Sequence, residues 1–152
     1  MNRHFFNFIA MFNAAAKTNK ISFSIPLRNK FIITYLNFLH KEGLIEGYEF
    51  ENHNPSSPLQ RDLTGIKLGK KASNYYVPVR IFNKPGLVKK IVSVSTPGKY
   101  FFYDRMRLQW YLHKQGAGGV VIISSSHFGR LCNAKEAVAA GQGGLVVSVV
   151  RI

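Results

Sequence analysis

Val120-Val121-Ile122-Ile123 is followed at once by Ser124-Ser125-Ser126. Four consecutive β-branched residues are stiff at χ1 and pack well on a pleated surface, so the run demands a buried strand. The three hydroxyls cannot extend an apolar core. They set short donor–acceptor side chains at a strand end, within reach of phosphates, sugars or base edges. Gly143-Gly144-Leu145-Val146-Val147 supplies a second apolar strand close behind.

Charge narrows what such a strand end can touch. The 152 residues carry a formal net charge of +14. Residues 1–62 hold seven Lys/Arg and five Asp/Glu, whereas residues 63–152 hold fourteen Lys/Arg against only Asp104 and Glu136. Solubility needs only a modest net charge of either sign. An excess this lopsided attracts polyanions and releases their counterions. Hydroxyls at a strand end in such a chain point to a nucleic-acid surface rather than a catalytic pocket.

The 46% hydrophobic and 13% aromatic content argues for a folded chain. Its length fits one compact domain or two small, tightly packed ones. No apolar run approaches the ~18–20 residues of a membrane span; the best, Phe31 to Leu39, is interrupted by Thr34 and Asn37. The single Cys132 excludes an internal disulfide, and nothing implies a structural zinc site. Arg3, the lack of early acids and the apolar Phe5 to Phe12 fit either an organelle-targeting helix or a first structural helix.

Residues 4–16 read as a helix, with Phe5, Phe8, Ile9 and Phe12 on one face. Ile21 to Ile25 alternates as a half-buried strand. Pro26 opens a second helix of about sixteen residues, with a core stripe of Leu27, Phe31, Ile32, Tyr35, Leu36 and Leu39 and a stop at Gly43. Ile45 to Glu51 is the next strand, and its Glu46, Glu49 and Glu51 are a solvated face. Asn52 to Pro58 reads as a loop and 59–73 as a polar, basic hairpin. Tyr75 to Phe82 is a strand that Pro78 marks as an edge or bulged element. The turn Asn83-Lys84-Pro85-Gly86 separates an amino-terminal α/β unit, 1–83, from a carboxy-terminal unit, 84–152.

In the second unit Leu87 to Ser95 and Tyr100 to Tyr103 are strands, joined by the turn Thr96-Pro97-Gly98. Asp104 caps a helix to Lys114, with Leu108, Tyr111 and Leu112 inward. Gly116-Ala117-Gly118-Gly119 ends it. Asn133-Ala134-Lys135-Glu136 is a capping box for a short alanine-rich helix, and Leu145 to Arg151 is the last strand. The expected class is mixed α/β (α+β): a helix–strand–helix–strands unit followed by a mainly β unit with short helices.

Catalytic and metal signals are weak. A serine nucleophile needs a base and an oxyanion site. His127 adjoins Ser126, but a sequence neighbour on an extended chain points away, and no Gly-x-Ser-x-Gly elbow exists. The other histidines show no metal-ligand spacing. Cys132 is expected to pack rather than react. Gly116-Ala117-Gly118-Gly119 lacks the Gly-Lys-Ser/Thr ending of a phosphate loop. The stronger signal is cations interleaved with aromatics: Arg80, Lys89, Lys90, Lys99, Arg105, Arg107, Lys114, Arg130 and Lys135 alongside Tyr100, Phe102, Tyr103, Trp110 and Tyr111. Cations position phosphates, and exposed rings stack on unpaired bases. Most of these rings, Trp110 included, are expected in the core.

The order Ser95-Thr96-Pro97-Gly98, Gly116-x-Gly118, Ile122-Ile123-Ser124-Ser125-Ser126, Glu136-Ala137 and Gly143-Gly144 resembles the small-subunit ribosomal protein family S-eight, in its bacterial and organellar form. Asn13-Ala14, the strand into Pro26 and Leu39-x-Lys41-Glu42-Gly43-Leu44-Ile45-Glu46-Gly47-Tyr48-Glu49 extend the resemblance through the amino half. It implies two packed α/β domains that bind the central domain of small-subunit ribosomal RNA beside neighbouring ribosomal proteins. It also implies no catalysis, cofactor, metal, membrane or small-molecule substrate. The family's serine loop falls on Ser124, Ser125 and Ser126, its Pro-Gly turn on Pro97 and Gly98, and its closing glycines on Gly143 and Gly144. A basic position of the amino domain falls on Arg80, and its tyrosine falls near Phe102 or Tyr103. With His127, Lys99, Tyr103, Arg105 and Arg130 these form the expected RNA-binding set.

Three departures stand out. The family's Arg-x-Arg-Asn in the first helix is Ala10-Met11-Phe12-Asn13 here, its turn arginine is Thr96, and its closing Gly-Gly-Glu is Gly143-Gly144-Leu145. They imply a divergent organellar protein, of a ribosome in the mitochondrial matrix, with a plastid or the bacterial cytoplasm as alternatives. A free RNA-binding regulator and a small serine hydrolase are the competing functional classes.

Overall fold

The computed structural model describes residues 3–27, 29–50, 77–116, 118–125 and 130–152. The expected 52–58 loop, the 59–73 hairpin, Glu51, Ser126 and His127 lie outside the described residues. Helix α1 spans Arg3–Lys17 and buries Phe5, Phe8, Ile9, Phe12 and Ala15. That spacing of three and four residues stacks them on one face.

Pro26 does not open the second helix. It lies in strand β1, Ser22–Leu27, whose ladder runs on through Pro26↔Pro78 and Leu27↔Val77. Helix α2, Lys30–Lys41, starts later because Asn29 supplies the capping oxygen, accepting from the Phe31 N–H at 3.0 Å. Leu27 therefore belongs to a strand and not to the helix stripe. Gly43, at φ +73°, lets the chain turn out of α2, and the Leu44 N–H bonds the Leu39 carbonyl.

Strand β2, Ile45–Phe50, and strand β3, Val77–Asn83, complete an antiparallel sheet in the order β1-β3-β2. Pro78 thus sits in the central strand, not at an edge. The Asn83 N–H bonds Ile21 across the β1–β3 ladder. Alternation then turns the nitrogen of residue 78 toward β2. The described β2–β3 pairing ends at Phe50↔Val79, one residue short of Pro78, so the missing donor breaks no described rung. A register shift between Ile45 and Gly47 lets Glu46 and Glu49 both face solvent.

The second sheet is built from β4 (Lys90–Ser93), β5 (Phe102–Tyr103), β6 (Gly119–Ser125), β7 (Arg130–Asn133) and β8 (Gly144–Arg151). Its order is β4-β8-β6-β7, and β5 pairs with β8 beyond the end of β4. The strand expected over 87–95 is short because Leu87 closes a turn on Lys84 and Ser95 leaves the ladder. Strand β7 has no counterpart in the sequence reading. Helix α3, Arg105–Gln115, is capped by Asp104, which accepts from the Arg107 N–H, and stops at Gly116, φ +72°. Helix α4, Ala134–Ala139, is capped by Asn133 through the Lys135 N–H.

The apolar residues gather into two cores. The larger joins α1, α2 and the first sheet to Ile91, Ile122, Leu131, Val147 and Val150 on one face of the second sheet. The smaller packs Val121, Ile123, Cys132 and Val146, on the other face, against Leu108, Ala134 and Ala137. Edge-to-face rings knit α1 to α2: Phe5 and Phe8 lie 5.0 and 5.7 Å from the Tyr35 ring. Two polar links cross the larger core. The fully buried Tyr35 hydroxyl lies 2.8 Å from Ser148 Oγ, and burial holds its ionisation well above the ordinary phenol range. Asn13 donates from Nδ2 to the Ile91 carbonyl and accepts the Ile91 N–H at Oδ1, at 2.9 and 2.7 Å. The fold is mixed α/β, as expected.

Candidate nucleic-acid interface

One end of the second sheet gathers most of the expected residues. Phe102 pairs with Leu145, Leu145 with Ser124, and Ser124 with Leu131. Partners directly opposite in adjacent strands share a face. Ser124 and Leu145 are half-buried there, and Phe102 is 69% exposed. Tyr100, also exposed, sets its ring 6.5 Å from that of Phe102. The face therefore offers a hydroxyl, an aliphatic side chain and two rings side by side. Ser125 turns the other way: it is buried, and its hydroxyl has no hydrogen-bond partner among the described residues.

Glycines make this end tight. A Cβ on Gly143 would sit 2.1 Å from the Tyr103 carbonyl oxygen and 2.7 Å from Asp104 Cα. One on Gly144 would sit 2.6 Å from the Ser124 carbonyl oxygen. Both obstacles are backbone, so only glycine lets β5, β8 and β6 close to this spacing.

The Thr96–Lys99 turn is held to the same end. Thr96 and Lys99 exchange N–H···O bonds of 2.9 and 3.0 Å. Below them the buried Ser95 hydroxyl donates to the Val146 carbonyl and accepts the Phe101 N–H. Ser95 thus anchors an exposed Pro97-Gly98-Lys99 tip onto β8, one residue from Leu145. Sequence reasoning passed over Ser95 as a functional support; its only signal was its place before Thr96-Pro97-Gly98.

The structure separates Tyr103 from Phe102. Tyr103 is half-buried, packs edge-on to Tyr111 with ring centres 5.4 Å apart, and carries Arg107 over its ring at 5.4 Å. Tyr103 is turned toward α3, and Phe102 is the ring presented outward. Trp110 also departs from expectation. It is 62% exposed on the outer side of α3, with Lys114 over its ring at 5.1 Å. Leu108 faces the sheet from that helix, and Tyr111 and Leu112 are half-buried against the same core.

The cations distribute unevenly. Arg105 opens α3 next to Asp104, against whose backbone Gly143 packs, and Arg130 lies opposite Ser125 across β6–β7; both are exposed. Arg80 is also exposed but stands on β3 of the first sheet, between Ser24 and Glu49 in register. Arg80 is thus carried on a different sheet from the other expected residues. The described residues contain no cluster of three metal-ligating side chains and no helix long and apolar enough to cross a membrane.

Cys132 is buried between β6 and the small helices. Burial, and then the Glu136 carboxylate, push its thiol up to about 11, while Arg130 and Lys41 pull it down less. At neutral pH that leaves roughly a hundredfold less thiolate than an ordinary cysteine holds. Iodoacetamide is expected to label the native protein far more slowly than protein in denaturant, read by intact mass; equal rates would contradict the packing role.

The chain is similar to known proteins along most of its length. Small ribosomal subunit protein uS8 of Anaplasma marginale, in strains Florida and St. Maries, is 33% identical over 114 residues, covering 75% of this chain and 71% of the relative. The family model described as Ribosomal protein S8 matches residues 5–150. This is a family of ribosomal structural proteins rather than of enzymes. A match over almost the whole length, reinforced by relatives covered across most of theirs, shows that the chain belongs to the Ribosomal protein S8 family.

Proposed function

We propose that this protein is a structural constituent of the small ribosomal subunit. In this reading it has no catalytic role, and it binds the central domain of the small-subunit ribosomal RNA during assembly. The carboxy-terminal unit, residues 84–152, makes the main contact, and the unit 1–83 supports it. The observation that carries this reading is the open end of the second sheet. There Ser124, Leu145 and Phe102 share one face, beside the Pro97–Lys99 tip and a surface of unbalanced positive charge. Cations neutralise phosphates, the hydroxyl bonds a 2′-hydroxyl, phosphate or base edge, and the exposed ring stacks on an unpaired base. The departures at Ala10, Thr96 and Leu145 support an organellar, mitochondrial ribosome as the setting.

Gradient sedimentation of a cell or organelle lysate, with and without magnesium, tests the reading. Comigration with the small subunit, lost as the particle unfolds, supports it. Recovery only at the top of both gradients overturns it in favour of a free regulator or an enzyme. The same fractions decide the compartment. For the site, Phe102→Ala is expected to weaken binding to a central-domain transcript by about ten- to a hundredfold. Ser124→Ala is expected to cost about five- to tenfold. Both should leave the melting temperature almost unchanged. Wild-type affinity in both variants would remove this face from the interface.

A further inference from the structure

The outer side of α3 carries a cationic, aromatic patch that the open sheet end does not use. Met106, Trp110 and His113 recur at spacings of four and three, so they lie along one stripe of the helix, and all three are exposed. Met106 is 79% exposed. Every formal charge within α3 is positive: Arg105, Arg107 and Lys114. The adjoining Asp104 is engaged in capping the helix. Two of the three cations are held by rings. Lys114 Nζ stands 5.1 Å from the centre of the Trp110 ring, and the Arg107 guanidinium 5.4 Å from that of Tyr103. A ring fixes a cation in place and leaves its charge intact, whereas a carboxylate would cancel it. Among the described residues neither Arg107 nor Lys114 is paired with a carboxylate.

Resting on the rRNA-binding reading above, we infer that Trp110 is the stacking platform of a second RNA contact, in which an unpaired base lies on the indole and Lys114 and Arg107 meet the phosphates beside it. A nucleotide joins a flat base to an anion a few ångström away. The patch is its complement, a flat exposed ring with a fixed cation next to it. With Lys114 over one face of the ring, the base takes the other. An apolar groove on a protein fits less well. Enclosing Trp110 there would strip water from the Lys114 ammonium or break its contact with the ring. Stacking leaves the ammonium hydrated at the edge, against a phosphate. The contact is also separate from the first. α3 packs on the sheet face formed by Val121, Ile123 and Val146, whereas Ser124 and Leu145, their strand neighbours, face the other way. The RNA on Trp110 is therefore a different segment from the RNA on Phe102, and the second sheet lies between the two.

Trp110 is the protein's single tryptophan, so its fluorescence reports this site alone. The full-length protein is titrated with a short oligouridine, and its binding to the central-domain transcript is measured separately on filters. Oligouridine is expected to quench the fluorescence of wild type and of Phe102→Ala equally. Lys114→Gln is expected to lower the slope of log affinity against log salt by about 0.7, one single-strand phosphate's worth. Trp110→Ala, added to Phe102→Ala, is expected to weaken oligouridine binding on filters by about ten- to a hundredfold. Its melting temperature should match that of Phe102→Ala, since the Trp110 side chain is exposed. An unchanged slope or an unchanged affinity in these variants overturns the platform. Equal quenching by oligoglutamate overturns it in favour of an acidic protein, and quenching lost in Phe102→Ala overturns a separate site. Wild-type protein that holds the transcript but shows no quenching by oligouridine overturns the platform and leaves the rRNA reading standing. Wild-type protein that fails to hold the transcript sinks the rRNA reading itself, which separates the two failures.

Discussion

Gly143→Ala is expected to destabilise the protein by about 3 kcal/mol or more, a fall of roughly 6–12 °C in melting temperature. The added methyl would lie 2.1 Å from the Tyr103 carbonyl oxygen and under 3 Å from two Asp104 backbone atoms. No rotamer change relieves a collision between a Cβ and backbone. Strand β5 must therefore part from β8, or the turn before β8 must deform. Gly144→Ala meets the Ser124 carbonyl in the same way and forces β6 from β8. Either movement disperses Phe102, Leu145 and Ser124, so RNA affinity should fall together with stability. Gly98→Ala is the control. Nothing lies within 4 Å of its Cβ position, and its change should stay within about 0.5 kcal/mol. Thermal melts of the three variants check the ranking. A native-like melt for Gly143→Ala would show that the sheet end is looser than its backbone spacing implies.

Asn13→Ala is expected to cost about 2–4 kcal/mol, since it removes two hydrogen bonds and leaves two buried groups unmatched. Its amide holds both the N–H and the carbonyl of Ile91, and the Ile91 side chain is buried in the larger core. Among the described residues β4 is an edge strand, paired with β8 on one side only. Asn13 therefore supplies from a helix what a further strand would have supplied. Denaturant unfolding with an unchanged m-value is the check. A loss below about 0.5 kcal/mol would mean that water replaces the amide. This also accounts for Asn13 beside Ala10, Met11 and Phe12: whatever the neighbouring positions have lost, the asparagine has a partner within the chain.

Much of this molecule was readable from residue order. The four β-branched residues of β6 and the glycine stop at Gly43 are local signals, and so are the Asp104 and Asn133 caps. Each declares itself within a few residues, because side-chain stiffness, backbone sign and capping oxygens act over that range. The helix start at Lys30 was harder. Pro26 tolerates a first helical turn and a strand equally well, and the choice fell to pairing with β3, some fifty residues away. Strand β7 was missed because Arg130 to Asn133 is only four residues long and takes its definition from β6. Pro78 misled for a related reason: its cost depends on whether a donor is needed at that rung, which is a property of the ladder.

The same division runs through the interface. Period-two alternation dictates that Phe102 and Tyr103 face opposite ways. Which of them is outside depends on where α3 packs, and that placement put Tyr103 against Tyr111 and left Phe102 in solvent. Trp110 was assigned to the core by residue type, yet α3 needs only one apolar side for its sheet. Composition and motif order alone determined the lopsided positive charge, the family resemblance and the serine-ended strand. Tertiary structure alone decided that Gly143 and Gly144 must be glycine, because they pack against the backbone of Tyr103 and Ser124, and that Arg80 stands on the other sheet. Such contacts join residues tens of positions apart, and no local free energy encodes them until the chain has closed on itself.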